Sequence, residues 1–389
     1  MPPASSSTMR HGLIVCLGLL LFCQCTAEVG KSGASAPAPA APMPASQLTA
    51  GLTYAGMCDG SAAAALDEQT FVVASDEATL KQGPTPQRNV LGVYRIDQGG
   101  APLQTVDLSA ALAPEPNNPA QHDPEHVEAD IEGAARIGDR IYWITSHGHN
   151  SKGKRRVDRY RFFATDLVGS GPNVALRPAG TTGPFPAYMN LLKDMSGAAQ
   201  LAGFKLGELD AGNKAPEEGG INIEGLCATR DNKLLIAFRS PLTQGKALLI
   251  PLENGDDLIT GKTAQAKFGA PLQLDLGGLG IRDIAYAKAQ DVYLIIAGPA
   301  TADGPFRLYQ WSGNSAQPPI VSKDKAGNEI SLSGLNPEAL VVYPNSNRVL
   351  VISDDGDVKM RSPSLNTTLD NKELPDAERL FRTVWLTLP

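Results

Sequence analysis

Asn222-Ile-Glu-Gly-Leu-Cys227, followed after a polar turn by Lys233-Leu-Leu-Ile-Ala-Phe238, gives the pattern of the whole chain. Both runs are short, apolar and bounded by turn residues, so they read as two neighbouring antiparallel strands. The pair recurs as Asp130-Ile-Glu-Gly-Ala-Ala135 with Arg140–Thr145, Ile281-Arg-Asp-Ile-Ala-Tyr286 with Val292–Ala297, and Asn336-Pro-Glu-Ala-Leu-Val341 with Arg348–Ser353. A fifth pair, Ser61-Ala-Ala-Ala-Ala-Leu66 with Phe71–Ser75, lacks the acidic residue. In the other four a carboxylate (Glu132, Glu224, Asp283, Glu338) stands at the same place, at intervals of 92, 59 and 55 residues.

That spacing suits the four-stranded blades of a β-propeller, in which the innermost strands line a central channel. Third strands are expected at Arg156–Ala164, Lys246–Leu252, Phe306–Trp311 and Leu380–Leu388. The C-terminal one and the free N-terminal strand Leu52–Ala55 would close the ring by pairing within one blade, which removes both open edges. The expectation is an all-β propeller of five blades, or six if the 92-residue interval hides one. Part of that interval is a helix-like stretch, Met189–Leu206. A β-sandwich is the rival fold, but it does not predict a recurring carboxylate.

Composition agrees. Of 389 residues, 39 are Gly and 30 Pro, too many breakers for a helical bundle. With 42% hydrophobic and 19% charged residues the chain has material for a large core and is too apolar to be disordered. A net charge of −7 excludes a global nucleic-acid-binding role.

The N-terminus reads as an export signal over residues 1–27: Arg10, then an apolar run of 12 residues from Gly12 to Cys23, then small residues at Cys25-Thr26-Ala27. The run is shorter than the ~20 residues a transmembrane helix needs, and no later run is longer. A soluble periplasmic or extracellular protein is expected, with a lipid anchor at Cys23 or Cys25 as the alternative. Residues 28–49, rich in Ala, Pro and Ser, form a linker, and residues 50–389 form the propeller. The mature chain keeps Cys58 and Cys227, as one disulfide or as two buried thiols.

Residues that begin innermost strands of different blades converge on the channel mouth. Asp130, Glu132, Asn222, Glu224, Asp283 and Glu338 are therefore candidate ligands for a hard cation, Ca²⁺ or Mg²⁺. The competing reading is that Arg239 and Arg282 neutralise these carboxylates and merely staple the blades. Beside Glu132 runs a basic loop, Ser146–Arg156, with Gly148 and Gly153 allowing close backbone approach to a ligand. Lys154, Arg239 and Arg282 are candidate contacts for a small anionic substrate, and His147, with Glu132 and Glu224, is a candidate acid or base. His122, His126 and His149 lie in the same region, among Asp123, Glu125 and Glu128. Asp354-Asp355-Gly356-Asp357 lacks the later glutamate of a calcium loop and reads as a turn. No nucleophile elbow, phosphate-binding loop or zinc motif is present.

Asp130-Ile-Glu-Gly133, the Ser146–Lys154 loop, Asn222-Ile-Glu-Gly-Leu226, Phe238-Arg-Ser-Pro-Leu242, Gly245-Lys-Ala-Leu248, Gly280-Ile-Arg-Asp-Ile284, Ala297-Gly-Pro299 and Trp311-Ser-Gly313, in this order, resemble the domain-of-unknown-function 3616 family (DUF3616). The resemblance covers about residues 55–388 and implies the fold, not a reaction. More loosely, the Asp/Asn-Ile-Glu-Gly phrase is similar to one in phytase-like secreted propellers, some of which bind Ca²⁺ and hydrolyse phosphate esters. It touches only Asp130, Glu132, Asn222 and Glu224, and Ala62–Ala65 departs from it. Two functions follow as expectations: cation-assisted hydrolysis of a phosphate or other ester, or non-catalytic binding of a ligand or an envelope protein.

Overall fold

The computed structural model describes residues 46–76, 89–109, 111–112, 128–169, 174–179, 187–301 and 304–389. The segment holding His122 and His126, and the stretch expected to be an export signal, lie outside the described residues. All blades fall within one unit, Pro44–Pro389.

Strand β1 (Gln47–Ala55) opens the chain, and four blades follow in sequence order. Blade 1 is β2 (Gly60–Ala65), β3 (Thr70–Ser75), β4 (Val90–Arg95) and β5 (Gln104–Asp107). Blade 2 is β6 (Ile131–Ile137), β7 (Arg140–Thr145), β8 (Phe162–Val168) and β9 (Ala175–Pro178). Helices α1 (Leu191–Gly197) and α2 (Leu206–Ala211) come next; they account for the long interval in place of a sixth blade. Blade 3 is β10 (Asn222–Ala228), β11 (Leu234–Ser240), β12 (Ala247–Leu252) and β13 (Leu272–Leu274), with the short α3 (Gly255–Ile259) between the last two. Blade 4 is β14 (Gly280–Ala287), β15 (Val292–Gly298), β16 (Arg307–Trp311) and β17 (Ile320–Val321). Blade 5 takes β18 (Pro337–Val342), β19 (Arg348–Ser353) and, after the hairpin β20 (Lys359–Ser362) and β21 (Thr367–Asp370), β22 (Leu380–Thr387), against which β1 pairs antiparallel. The fold is thus a five-bladed propeller closed by its two terminal strands, as expected. One expected strand is shorter than its sequence: Arg156–Arg161 is loop and a 3-10 turn, and β8 begins at Phe162.

The apolar residues form five clusters, one in each seam between adjacent blades. In β3, Val72 and Ala74 enter the seam with blade 2 while Phe71 and Val73 enter the seam with blade 5. Period-two alternation therefore serves two buried faces, which is why these strands read as continuous apolar runs. Helices α1 and α2 bury Leu191, Met195 and Leu206 in the seam between blades 2 and 3. The inner strands β2, β6, β10, β14 and β18 touch one another around the ring. Cys58 and Cys227 are buried free thiols. Among the described residues no helix is long and apolar enough to cross a membrane.

Candidate functional site

Every inner strand skips one residue of its ladder within its first few positions. The residues left out are Ser61, Glu132, Glu224, Arg282 and Glu338. A bulge of this kind bends the strand and re-aims a side chain, and five equivalent bulges build a ring at one end of the channel. Glycine follows the bulge in blades 2 and 3 because the inner strands abut there. A Cβ on Gly133 would stand 2.7 Å from the Leu226 nitrogen of β10, and one on Gly225 would stand 3.2 Å from the Ile284 Cγ2 of β14.

This register corrects one expectation. In blade 4 the ring position belongs to Arg282, and Asp283 is one residue further along. Both Asp283 oxygens accept backbone N–H groups, Oδ1 from Ile284 at 2.7 Å and Oδ2 from Leu340 at 2.7 Å. Burial raises its pKa to about 8. Asp283 ties blade 4 to blade 5 and does not join the other carboxylates.

Arginines neutralise one half of the ring. Arg282 bridges the glutamates of both neighbouring blades: its Nε lies 2.9 Å from Glu224 Oε2, and its Nη2 pairs with Glu338. Glu224 Oε1 also accepts from Arg239 Nη1 at 2.9 Å and from Asn222 Nδ2 at 2.8 Å. Arg239 Nε donates to the Pro299 carbonyl at 3.0 Å. These ion pairs are buried, and here the stapling reading holds.

In the other half three carboxylates converge. Asp76, which follows β3, meets Asp130 and Glu132 at the start of β6, with one oxygen from each lying within 4.8 Å of the others. Asp130, with a φ of 60°, pairs with Arg159 at 2.9 Å. Arg159 also holds Glu128 at 2.7 Å. Glu132 is only 8% exposed, yet its carboxylate makes no hydrogen bond or ion pair among the described residues. Burial first, then Asp130 and Glu224, push its pKa well above the usual carboxylate range. Each of the three offers a hard oxygen, the donor type that suits Ca²⁺ or Mg²⁺.

Propeller symmetry repeats this corner one blade earlier. Asp354 follows β19 as Asp76 follows β3, Asp59 precedes β2 as Asp130 precedes β6, and Ser61 takes the place of Glu132. The Ser61 hydroxyl donates to the Ile131 carbonyl, and Asp59 accepts the Cys58 thiol at 2.9 Å. Asp354 accepts from Asn336 Nδ2 at 3.1 Å and from the Gly356 N–H at 2.8 Å. Burial, then Asp59, raises its pKa to about 7. Gly356 is required here, since a Cβ would collide with Asp59 Oδ1. The neighbouring Asp355 is held by Arg382, as a turn and not a calcium loop requires.

The 3-10 turn after the basic loop contributes Arg159 to the mouth, and the loop turns its own groups elsewhere. His147 is 1% exposed, with Nδ1 on the Thr145 carbonyl at 2.8 Å and its ring against the edge of Tyr160. Burial lowers its pKa to about 4. His149 Nε2 faces Asp210 at 3.1 Å, and Arg155 stacks over Tyr160. Lys154 is exposed. Sequence reasoning missed Asp76, Asp59 and Arg159. The Ser-Asp pair that ends the second strand in blades 1 and 5, Ser75-Asp76 and Ser353-Asp354, was the available signal.

The family model described as "Protein of unknown function (DUF3616)" matches residues 191–368, which bears out the resemblance read from the motifs. No curated protein matches the chain. Among solved structures, the PQQ-bound aldose sugar dehydrogenase of Streptomyces coelicolor is 12% identical with a TM-score of 0.37, covering 89% of this chain and 100% of that one. An exo-β-1,3-galactanase of Phanerochaete chrysosporium is 10% identical with a TM-score of 0.41, covering 88% and 64%. An α-L-arabinofuranosidase of Podospora anserina is 9% identical with a TM-score of 0.39, covering 89% and 97%.

Proposed function

We propose that this chain is an exported β-propeller, periplasmic or extracellular, whose channel mouth binds Ca²⁺ or Mg²⁺ through Asp76, Asp130 and Glu132. Through that ion it takes a small anionic ligand, a phosphate or other ester that it hydrolyses. The observation that carries the reading is Glu132: a buried carboxylate with no hydrogen bond or ion pair among the described residues, one of whose oxygens lies within 4.8 Å of an oxygen from each of two further carboxylates. Leaving such a group unpaired costs several kcal/mol unless a proton or a cation compensates it. A divalent cation held there supplies Lewis acidity, polarising an ester oxygen and lowering the pKa of a bound water. Arg159 would hold Asp130 in place as a ligand, and the pairing of Glu224 and Glu338 with Arg282 and Arg239 would keep those two glutamates from competing for a cation.

A second reading, a propeller that binds a ligand or an envelope protein without turnover, draws on the same arginines. Arg239 and Arg282 are committed to carboxylates and His147 is buried, so none of these three stands beside the acidic groups as a free cation or an accessible base.

Metal analysis of the purified full chain, calcium and magnesium titration by calorimetry, and turnover of p-nitrophenyl phosphate with and without chelator separate the two. A bound ion with chelator-sensitive turnover is the expected outcome. A bound ion without turnover establishes the second reading. Glu132→Gln, which removes one charged ligand, should weaken the cation at least about tenfold. Absence of any cation binding by the wild-type chain would overturn both the site and the hydrolysis built on it.

A further inference from the structure

Asp59 and Asp354 face each other where the ring closes. Asp59 ends the connection from β1 into blade 1, and Asp354 follows β19 of blade 5. A Cβ built on Gly356 would stand 1.7 Å from Asp59 Oδ1 and 3.3 Å from Asp354 Oδ1, so the two oxygens are no more than 5.0 Å apart. The Asp355 N–H donates to the Cys58 carbonyl at 2.9 Å and joins the same two segments.

Neither carboxylate has an ion pair among the described residues. Asp59 is buried, and the donor it accepts from is a thiol, that of Cys58. The surrounding cations are committed elsewhere: Arg379 to Asp376 at 3.3 Å, Lys372 to Asp357 at 2.8 Å, Arg382 to Asp355 at 2.6 Å, and Arg282 to Glu224 and Glu338. The exposed Asp357 adds like charge from the solvent side. A metal ion finds less here than at Glu132. Ser61 holds the ring position and donates its hydroxyl to the Ile131 carbonyl, and the Gly356 backbone lies directly against Asp59 Oδ1. Two carboxylates this close repel unless one of them is protonated, and they then titrate as a pair. Burial, then Asp59, raises Asp354 to about 7, and burial raises Asp59.

We infer that Asp59 and Asp354 hold one proton between them up to neutral pH, and that this proton is a pH-sensitive latch on the seam between blades 5 and 1. Its loss leaves two like charges opposed across the seam. In the unfolded chain both aspartates ionise near pH 4. The folded chain therefore binds the extra proton between about pH 4 and 7, and stability falls as pH rises across that window. None of the three carboxylates of the proposed cation site belongs to the pair.

Differential scanning calorimetry at pH 5 and pH 8, with chelator present, compares the full chain with Asp59→Asn and Asp354→Asn, which keep the side-chain shape and cannot ionise. The wild-type melting temperature should fall at least about 3 °C more than that of either variant. Glu132 and Asp283 are common to all three chains and cancel in the comparison. Hydrogen exchange followed by mass spectrometry reads the latch in the wild type alone. Corrected for intrinsic rate, protection of residues 57–60 and 353–356 should drop at least about tenfold between pH 5 and pH 8, while β11 keeps its protection. Equal falls in melting temperature for the wild type and a folded Asp354→Asn chain, unchanged protection of the two segments, or an equal loss in β11 would each overturn the inference. The exchange measurement decides it even if both variants fail to fold.

Discussion

At pH 7 the His147 imidazole is neutral and sealed inside blade 2. Its Nδ1–H is spent on the Thr145 carbonyl, and its Nε2 has no partner among the described residues. Protonating it there would place a charge in a buried pocket near Arg161 and Arg155, and its pKa falls to about 4, with burial the largest cause. The unfolded chain takes up that proton near pH 6.5, the ordinary histidine value. The stability His147 confers is therefore full above about pH 6.5 and is lost as pH falls toward 4, because the unfolded state binds the extra proton across that window. Urea unfolding of wild type and His147→Asn at pH 7 and pH 4.5 measures it. Asparagine keeps a donor near the Thr145 carbonyl but cannot titrate. The wild type should lose about 2 to 3 kcal/mol more than the variant between the two pH values. Equal losses would show that the ring is not held neutral. The same argument separates His147 from Glu132: the histidine has its essential hydrogen bond and needs no ligand, whereas the glutamate has none.

The inner-strand bulge is the element on which the mouth depends, and blade 4 shows what one substitution at that position does. By placing Arg282 between Glu224 and Glu338, it turns a ring of like charges into a chain of alternating ones. Glu338 has no other partner among the described residues. Arg282→Ala should therefore cost about 3–5 kcal/mol, the penalty for leaving a buried charge uncompensated. Arg282→Met combined with Glu338→Gln should recover more than half of that loss, since it removes both members of the pair. Urea midpoints of the single and double variants test this, and additive losses would deny the pairing. The bulge also explains where sequence reading stopped. Strand pairs and their repeat were legible because a short continuous apolar run bounded by turn residues survives in every blade. A skipped residue shifts the register by one and leaves no trace in that pattern, so Asp283 took the place that belongs to Arg282. Asp76 and Asp59 were hidden for a different reason: they sit beside blade 1, whose run Ala62–Ala65 carries no acidic residue, and only the circular contact of β2 with β6 and β18 brings them to the mouth. Glu132 and Asp130 were found because their phrase repeats in blade 3.

For the molecule as a whole, stability rests on five seams that must all be present together, since each inner strand is packed between two neighbours. Four blades are contiguous in sequence, and the fifth exists only if β1 returns to β22. The closing seam has its own anchor. Tyr54 of β1 packs against Phe71 and Tyr94 of blade 1 and Phe381 of blade 5, with ring centroids 5.2, 5.2 and 5.3 Å away, and its hydroxyl donates to the Arg95 carbonyl. Gly51 lies where a Cβ would stand 2.3 Å from the Thr383 hydroxyl, so β1 and β22 approach closely beside their bulge. A chain beginning at Ser46 should therefore melt in one cooperative transition at the temperature of the full chain, because every strand contact described here is retained. A chain beginning at Gly56 should lose cooperative unfolding and self-associate, because it exposes the edge of β22 and empties the Tyr54 pocket. Tyr54→Ala in the full chain should fall between them, costing about 3–5 kcal/mol as a large buried aromatic residue does when truncated. Differential scanning calorimetry with light scattering distinguishes the three, and a cooperative, monomeric melt of the chain beginning at Gly56 would mean that four blades and a three-stranded fifth hold the ring without the terminal strand.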